Sequence, residues 1–339
     1  MSNSDLVIIN NEKIFNEENG FYCDNVDIKS IPENLDKNFN VILVARNSKI
    51  KRSHQISLKK IEISSNIFGF LSNILKTFKK NKVSYLIISI TPYTFFAYLL
   101  LFFSRKKIFV YLRSNGYEEY KAILGFIGPA IYHFMFKIIT FKSNIITCQK
   151  KLFTKRKSDV VFPSELNSFW LENIKNPSLD KPKLLYVGRL KVEKGTFSLL
   201  NIFNKMTIEC NLSIVGKIEN EQFRNSKVNY IGHGYNASEL IKIYDNHNIS
   251  ILPSFTEAHP KVIDESLARK RPVIIFEEIK HIVKDKKGIF VSKRDEKSLS
   301  ETIDFIMKNY IDIQTSMEKN KLPTKKEFIS QMSKILSSN

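Results

Sequence analysis

The sequence predicts an α/β protein built from doubly wound parallel sheets. Two observations indicate this class: short apolar runs alternate with helix-like stretches, and polar, glycine-bearing loops follow the apolar runs. Size indicates the number of domains: a chain of 339 residues with 43% hydrophobic content is too long for a single hydrophobic core and suits two domains. We therefore expect two α/β domains, each with a parallel sheet and helical crossovers.

The second half of the chain carries the clearer alternation. The predicted strands are Lys183–Val187, Leu212–Val215, Asn229–Ile231, Ile249–Leu252, Val273–Phe276 and Gly288–Val291. The predicted helices are Thr196–Met206, Ala237–Asp245, Val262–Lys270 and Glu296–Asn309. In such sheets, ligands bind at the carboxyl ends of the strands.

The first half repeats the pattern less regularly. Its predicted strands are Leu6–Ile9, Val41–Ala45, Tyr85–Ile90, Lys107–Leu112 and Asn144–Cys148, and its predicted helices are Ser65–Asn81, Tyr93–Phe103 and Glu118–Thr140. A polar, proline-bearing stretch separates the halves. The expected domains are 1–162 and 183–312, with a linker over 163–182 and a C-terminal helix over 313–339 that packs back toward the first domain.

One uncharged stretch, Val83–Phe103, is long enough to span a bilayer and is followed by Arg105-Lys106-Lys107. Pro92 interrupts it, so a buried strand followed by an apolar helix explains the stretch equally well. We favour a helix that rests on a membrane surface with its aromatic side chains in the headgroups. These side chains are Tyr93, Phe95, Phe96, Phe102 and Phe103.

The net charge of +19 is large. It is concentrated between Lys49 and Arg113, where 13 Lys or Arg face the single acid Glu62. Such a patch attracts anionic lipid or nucleic acid, although a merely solvated basic face is an alternative. No helix-turn-helix, zinc-finger or RNA-recognition pattern is present, so we expect an anionic membrane surface as partner and no nucleic acid.

The three cysteines have no paired spacing, which argues against a disulfide framework or a zinc site and favours a reducing cytoplasm. The N-terminal residues are polar and do not resemble a signal peptide. The expected location is cytoplasmic, peripheral at the inner face of the plasma membrane.

A basic loop, Gly188–Gly195, follows the first strand of the second domain. Arg189 offers a bidentate fork and Lys194 a point charge, which together suit the diphosphate of a nucleotide sugar. The two glycines allow close backbone approach and a turn between strand and helix. An ordinary basic surface loop is the alternative.

Two carboxylates lie in the stretch that follows the strand Ile249–Leu252. Glu257 is expected near a helix N-terminus and Glu265 inside that helix, with Pro260 in its first turn. A carboxylate at each position would accept hydrogen bonds from hydroxyls at opposite ends of one ligand. The alternative is a capping Glu257 and a solvent-facing Glu265.

The sequence resembles retaining glycosyltransferases of the GT-B fold, in particular family 4 (glycosyl transferases group 1). The resemblance covers residues 183–291. The matching stretches are Tyr186-Val187-Gly188-Arg189-Leu190 with Lys194-Gly195, Leu212-Ser213-Ile214-Val215-Gly216, Val228-Asn229-Tyr230-Ile231-Gly232, Pro253-Ser254 with Glu257 and Glu265, Arg271-Pro272-Val273-Ile274, and Gly288-Ile289-Phe290-Val291.

This resemblance implies two Rossmann-like doubly wound domains that face a central cleft. It also implies catalytic roles for Arg189 and Lys194 on the donor diphosphate and for Glu257 on the donor sugar. Glu265 would hold the ribose hydroxyls. The further implied donor-binding residues are Gly188, Gly216, Ala258, His259, Pro260 and Lys261. In the family, retention is attributed to front-face attack assisted by the departing phosphate.

The first domain departs from the family pattern. Asn10-Asn11-Glu12-Lys13 stands where many relatives have a Gly-Gly loop, and Arg113 stands where a histidine is common. We expect Arg113 to contact the donor or an anionic acceptor; an exposed strand-end arginine is equally consistent with the sequence. Glu118 and Glu119 are weaker candidates for a base.

The expected function is retaining transfer of a sugar from a nucleotide donor to a lipid-linked or oligosaccharide acceptor, in bacterial surface polysaccharide or glycan assembly. No Asp-x-Asp occurs, which favours a metal-independent reaction, and no cofactor is expected. The donor nucleotide, UDP or GDP, stays open. The alternatives are a nucleotide-sugar epimerase of the same fold, a degenerate binding protein and a nucleic-acid-binding protein.

Overall fold

The computed structural model describes residues 4–18, 20–80, 82–148, 157–217, 225–257 and 259–338. The chain divides into two compact units. The first comprises residues 1–162 together with 326–339, and the second comprises residues 163–325.

The elements follow in chain order. Up to residue 160 they are β1 (Asp5–Glu17), β2 (Gly20–Cys23), α1 (Val26–Leu35), β3 (Asn40–Asn47), β4 (His54–Ile56), β5 (Ile61–Ser64), α2 (Ile67–Lys76), β6 (Val83–Ile88), α3 (Pro92–Phe102), β7 (Lys107–Leu112), α4 (Gly116–Leu124), α5 (Gly128–Phe141), β8 (Asn144–Thr147) and β9 (Asp159–Val160). Thereafter they are α6 (Ser168–Leu171), β10 (Lys183–Val187), α7 (Thr196–Lys205), β11 (Asn211–Val215), β12 (Val228–Gly232), α8 (Ala237–Asp245), β13 (Ile249–Leu252), α9 (Lys261–Ala268), β14 (Val273–Phe276), β15 (Ile289–Ser292), α10 (Glu296–Lys308), α11 (Tyr310–Met317) and α12 (Lys325–Ser337).

The first unit has a parallel sheet in the order β5-β3-β1-β6-β7-β8-β9. Strand β1 does not end at Ile9 as predicted but continues to Glu17. Its register shifts between Ile9 and Lys13, and its last residues form an antiparallel pair with β2. The backbone N–H of Glu12 donates to the side chain of Asn10 at 2.6 Å across this irregularity. The stretch predicted to be a loop is therefore part of the strand.

Two helix predictions in this unit need correction. The predicted helix Glu118–Thr140 is two helices, α4 and α5, because Gly125 has φ +66° and a 3₁₀ turn separates them. Helix α1, which contains Pro32, was not predicted; its N-terminus is capped by Asn25, whose side chain accepts from the backbone N–H of Asp27.

The uncharged stretch Val83–Phe103 is strand β6 followed by helix α3. Within the ranges that the structure describes, no helix is long and apolar enough to cross a membrane. The interpretation as strand plus helix is therefore confirmed.

The second unit has a fully parallel sheet in the order β12-β11-β10-β13-β14-β15. This is the 3-2-1-4-5-6 order of doubly wound nucleotide-binding sheets. All six predicted strands and four predicted helices are confirmed to within two residues. Successive residues of β10 pack on opposite faces, with Leu184 and Tyr186 in one core and Leu185 in the other.

Residues 163–182, predicted to be a linker, are packed into the second unit. They include helix α6, whose Trp170 is buried, and the guanidinium of Arg269 donates to the carbonyls of Trp170, Glu172 and Asn173 at 2.8–3.0 Å. The predicted single helix over 313–339 is also divided, into α11 and α12. Phe328, Met332 and Leu336 of α12 belong to a core of the first unit.

Candidate functional site

The candidate site consists of two loops at the carboxyl edge of the second sheet. Residues 188–195 follow β10 and residues 253–260 follow β13. Strand β10 pairs with β11 on one side and with β13 on the other, so the strand order reverses here. A ligand crevice is expected at this position of a doubly wound sheet.

The two loops touch through their backbones. The backbone N–H of Phe255 donates to the carbonyl of Glu193 at 3.1 Å. Gly195 has φ +65°, and a Cβ placed there would lie 1.9 Å from the carbonyl oxygen of Pro253. Only glycine therefore fits this position without displacing the second loop.

Gly188 and Gly216 also come together. A Cβ on Gly216 would lie 2.1 Å from the carbonyl oxygen of Gly188, and a Cβ on Gly188 would lie 2.7 Å from the Tyr186 hydroxyl. The backbone N–H of Gly188 donates to Val215 at 2.9 Å. These two glycines bring the loops after β10 and β11 into backbone contact.

The second predicted cation and the first predicted carboxylate form an ion pair. Lys194 Nζ donates to Glu257 Oε1 at 2.6 Å, and Ser254 Oγ donates to the same oxygen at 2.7 Å. Both charged side chains are largely buried, with 21% and 11% of their surfaces exposed. The backbone carbonyl of Glu257 also lies 3.0 Å from His281 Nε2. The site thus holds a cation and a carboxylate that face one another.

Arg189 differs from Lys194 because its side chain is exposed. Its carbonyl accepts from the hydroxyl of Tyr186 at 2.8 Å and from the backbone N–H of Lys191 at 3.1 Å, which fixes the loop backbone. Among the residues that the structure describes, its guanidinium has no hydrogen bond or ion pair. This arginine is therefore available to an anionic ligand.

Glu265 lies in α9 and is held by a tyrosine. The Tyr244 hydroxyl donates to Glu265 Oε2 at 3.0 Å. Burial raises the pKa of Glu265 to about 7, although the hydrogen bond from Tyr244 and the charge of Lys261 oppose the rise. A carboxyl group in this condition changes its charge near neutral pH.

The remaining predicted contacts of this loop are mixed. Lys261 Nζ donates to Glu165 Oε1 at 3.1 Å, so its charge is already paired. Pro260 is the residue before α9, where it sets the start of the helix. Ala258 lies outside the described residues.

His259 points to a buried acid. Its Nε2 atom lies 3.3 Å from Asp264 Oδ2, without the alignment of a hydrogen bond. Asp264 also accepts from Lys286 Nζ. Burial alone would raise the pKa of Asp264, but His259 and Lys286 outweigh it and lower that pKa. His259 is thus oriented by a carboxylate directly beside the Glu257 loop.

Arg294, which the sequence pattern did not single out, connects several of these loops. Its guanidinium makes a bidentate pair with Glu278 at 2.7 and 3.0 Å and donates to the carbonyl of Pro253 at 3.0 Å. It also lies between two aromatic rings, 4.2 Å from the centre of Phe255 and 4.3 Å from that of Phe276. Arg294 lowers the pKa of Glu278.

A signal for this residue existed. Arg294 follows β15 directly, and Glu278 follows β14, so both lie at the carboxyl edge where the other loops end. Opposite charges after neighbouring parallel strands predict an ion pair at that edge. We treat Arg294 as a positioning residue because it holds the backbone of the Glu257 loop.

Arg113 lies in the first unit, at the end of β7. Its Nη1 atom donates to Asp27 Oδ2 at 2.9 Å, and its Nε atom lies 3.4 Å from Ser89 Oγ. The guanidinium thus already has an acidic partner. The expected contact with a ligand stays a prediction. Glu118 and Glu119 are exposed in the first turn of α4.

A comparison with models of protein families finds a match to the second half of the chain. Residues 170–322 match the family model of glycosyl transferases group 1. A comparison with curated protein sequences finds no match.

Solved structures show the same fold over nearly the whole chain. A sucrose-phosphate synthase from Thermosynechococcus elongatus has a TM-score of 0.70 at 14% identity, with 98% of each chain covered. Anabaena HepE in complex with UDP and glucose has a TM-score of 0.70 at 11% identity, covering 99% of this chain and 100% of that one. The lipopolysaccharide outer core galactosyltransferase WaaB has a TM-score of 0.63 at 14% identity, with 97% and 98% covered.

The two doubly wound units and these neighbours define a protein of the GT-B fold. More particularly, the family match covers residues 170–322, so the second unit resembles glycosyl transferases group 1. The resemblance inferred from the sequence is confirmed.

Proposed function

We propose that this protein transfers a sugar, with retention and without a metal ion or other cofactor, from a nucleoside-diphosphate sugar to the hydroxyl of a lipid-linked or oligosaccharide acceptor. One observation carries the proposal: Lys194, Glu257 and Ser254 form a partly buried network in the same pair of loops as the exposed Arg189, whose guanidinium has no partner among the described residues. The network offers cations and a carboxylate at one strand edge. A diphosphate and a sugar require these two kinds of group.

In the proposed donor complex, Arg189 and Lys194 bind the diphosphate. Because Lys194 is paired with Glu257 in the free protein, the diphosphate competes for this cation. Glu257 is then free to accept hydrogen bonds from the donor sugar. Glu265 accepts from the ribose hydroxyls, and Tyr244 holds it in place.

The proposed reaction breaks the bond between the sugar anomeric carbon and the diphosphate oxygen. A bond forms between that carbon and the acceptor oxygen, and the acceptor proton passes to the leaving phosphate. Negative charge accumulates on the diphosphate as the bond breaks. Arg189 and Lys194 are placed to stabilise it, which is the main source of rate in such a site.

UDP is the first donor nucleotide to test, since HepE was crystallised with UDP and glucose and shares the fold. Calorimetric titration of the wild type with UDP and GDP should show binding of one diphosphate. Glu265→Ala should weaken it about tenfold or more, about 1.4 kcal/mol, because the hydroxyl acceptor is lost. Glu296→Ala, at an exposed position in α10, is the matched control.

Each outcome is informative. Failure of both nucleotides to bind the wild type would contradict the proposal and favour a degenerate protein. The fold also occurs in a UDP-N-acetylglucosamine 2-epimerase from Listeria monocytogenes, at a TM-score of 0.54 and 11% identity. Conversion of a nucleotide sugar to its epimer in the absence of acceptor would favour that alternative.

We further expect donor affinity to rise with pH. Glu265 has a pKa of about 7 in the ligand-free protein, and only its ionised form accepts from both ribose hydroxyls. The ionised fraction rises from about 9% at pH 6 to about 91% at pH 8, so the affinity should rise about tenfold. The intact nucleotide sugar is the ligand of choice, because its diphosphate has no ionisation in this range.

The sign is the opposite for folding. The folded-state pKa of Glu265 is raised, so this group stabilises the fold at low pH and ceases to do so as the pH rises through about 7.

The control for the affinity measurement is Glu265→Gln, which should abolish the pH dependence of donor affinity. A slope that survives this substitution would assign the titration to another group.

The cellular role follows from the same proposal. Surface polysaccharide or glycan assembly at the inner face of a bacterial plasma membrane fits the net charge of +19. A structural neighbour is a lipopolysaccharide outer core galactosyltransferase, which supports an acceptor of this kind. The test compares the transfer of labelled sugar to lipid extracts with its transfer to soluble oligosaccharides.

A further inference from the structure

The first unit exposes an unusual apolar surface at the hairpin of α4 and α5. The hairpin tip is residues 123–127, where Ile123, Leu124, Phe126 and Ile127 are all exposed and Phe126 has 92% of its surface in contact with solvent. Gly125, with a positive φ of +66°, lies in the middle of this tip. Four adjacent exposed apolar residues are too concentrated for an ordinary solvated turn.

The apolar surface continues along two neighbouring helices. On α5, Ile131, Phe134 and Phe141 are exposed at helical spacing from the tip. Phe96 and Leu99 on α3 and Phe103, the residue that follows α3, are exposed at spacings of three and four. The helices are in contact, since the rings of Phe95 and Phe134 are 6.0 Å apart. Helix α3 contains no charged residue at all. Both helices therefore have an inner apolar face against the core and an outer apolar face toward solvent.

The hairpin does not need its tip for stability. Tyr117, Tyr120, Tyr132 and Phe136 pack between α4 and α5, with ring centres 4.8–5.9 Å apart. The tip side chains lie beyond this aromatic cluster and are exposed. Substitution at the tip can therefore change a docking surface without removing the packing that holds the hairpin.

The charges around the apolar surface are mainly basic. Lys121, Lys137, Lys142 and Arg105 are exposed at its margin, and Lys142 Nζ lies 4.6 Å from the ring of Phe102. The acids Glu118 and Glu119 lie in the first turn of α4, roughly 6–8 Å of helix before the first residue of the tip, Ile123. An apolar surface with a basic margin is complementary to an anionic bilayer, where rings enter the headgroup boundary and cations meet the lipid phosphates.

We infer that the tip of the α4–α5 hairpin, with the outer faces of α3 and α5, is the surface by which this protein docks on an anionic membrane. This revises the expectation from the sequence, which placed the contact on α3 alone. Of the five aromatic residues named there, Phe95 is buried and Tyr93 and Phe102 are half-buried, whereas Phe96 and Phe103 are exposed. The inference extends the proposed function by naming the surface that brings the site to a lipid-linked acceptor.

The test is sedimentation of the full chain with lipid vesicles. Wild type should bind vesicles of phosphatidylcholine mixed with phosphatidylglycerol, and binding to phosphatidylcholine alone should be much weaker. Phe126→Asp should lower the partition coefficient about tenfold or more, since it places a charge at the apolar tip. The control is Phe169→Asp, at an exposed phenylalanine of the second unit, which should leave binding unchanged.

A second pair of variants separates the basic margin from the apolar tip. Lys137→Glu combined with Lys142→Glu should weaken binding to anionic vesicles severalfold, whereas Lys297→Glu in α10 should change it little. The circular dichroism and unfolding midpoint of each variant report whether it is folded.

Two results would overturn the inference. One is vesicle binding that Phe126→Asp leaves unchanged. The other is a dimer that Phe126→Asp converts to a monomer, which would assign the surface to a second copy of the chain. Since these assays contain no donor and no acceptor, failure here leaves the proposed transfer reaction standing, and failure of nucleotide binding leaves the docking surface standing.

Discussion

Replacement of Lys194 by methionine is expected to lower kcat/KM for sugar transfer by about 10²–10³-fold, the loss typical when one preorganised donor to a developing anion is removed. The substitution also removes the ion-pair partner of the Glu257 carboxylate and leaves it the hydrogen bond from the Ser254 hydroxyl. The measurement is the rate of nucleotide release from the donor that calorimetry identifies, together with its affinity.

The matched control is Lys205→Met, at the opposite end of α7 from the site, where the lysine is exposed. It should retain the wild-type rate. A Lys194→Met enzyme within twofold of wild type would contradict the role given to this cation and would shift diphosphate binding to Arg189 alone.

A second large effect is expected on stability, at Asp245. This carboxylate pairs with the buried guanidinium of Arg269 through two hydrogen bonds of 2.9 Å, and Arg271 Nη2 lies 3.6 Å from it. Arg269 and Arg271 have only 1% and 0% of their surfaces exposed. Asp245→Ala removes the carboxylate that is bonded to Arg269 and should lower the free energy of unfolding by about 3–5 kcal/mol.

The chain supplies its own probe for this experiment. Its single tryptophan, Trp170, lies in the same cluster, with its ring 5.6 Å from that of Tyr244. Urea unfolding followed by its fluorescence therefore reports on the second unit. Asp304→Ala in α10 is an exposed control. A loss below about 1 kcal/mol for Asp245→Ala would mean that hydrogen bonds to the surrounding backbone carbonyls are sufficient to stabilise the two buried guanidinium groups.

The sequence determined most of the second unit. Its strands are short apolar runs bounded by polar loops, and their buried positions on both faces leave little freedom for another register. Gly188–Gly195 and the Glu257 loop were also predictable, because each follows a strand of the reversal point in a 3-2-1-4-5-6 sheet. Local composition is a strong guide where each element is short, buried and separately bounded.

The first unit was less predictable for a physical reason. Strand β1 continues through Asn10-Asn11-Glu12, since its pairing partners β2 and β3 override a polar sequence that favours a loop. The long helix expected over Glu118–Thr140 is broken, because Gly125 adopts a positive φ that allows α4 to fold against α5. Here tertiary contacts outweigh local preference.

Only the tertiary structure decided which charged side chains are paired with one another and which apolar side chains face the core. Arg294 contacts Pro253, Glu278 and two aromatic rings, which come from separate strand ends. Arg269 contacts Trp170, which precedes β10 in the chain, and Asp245, which follows it. The exposed faces of α3 and α5 look like core residues in sequence. A hydrophobic pattern records that a side chain is apolar, whereas burial depends on which other element reaches it, and that is fixed by contacts between residues far apart in the chain.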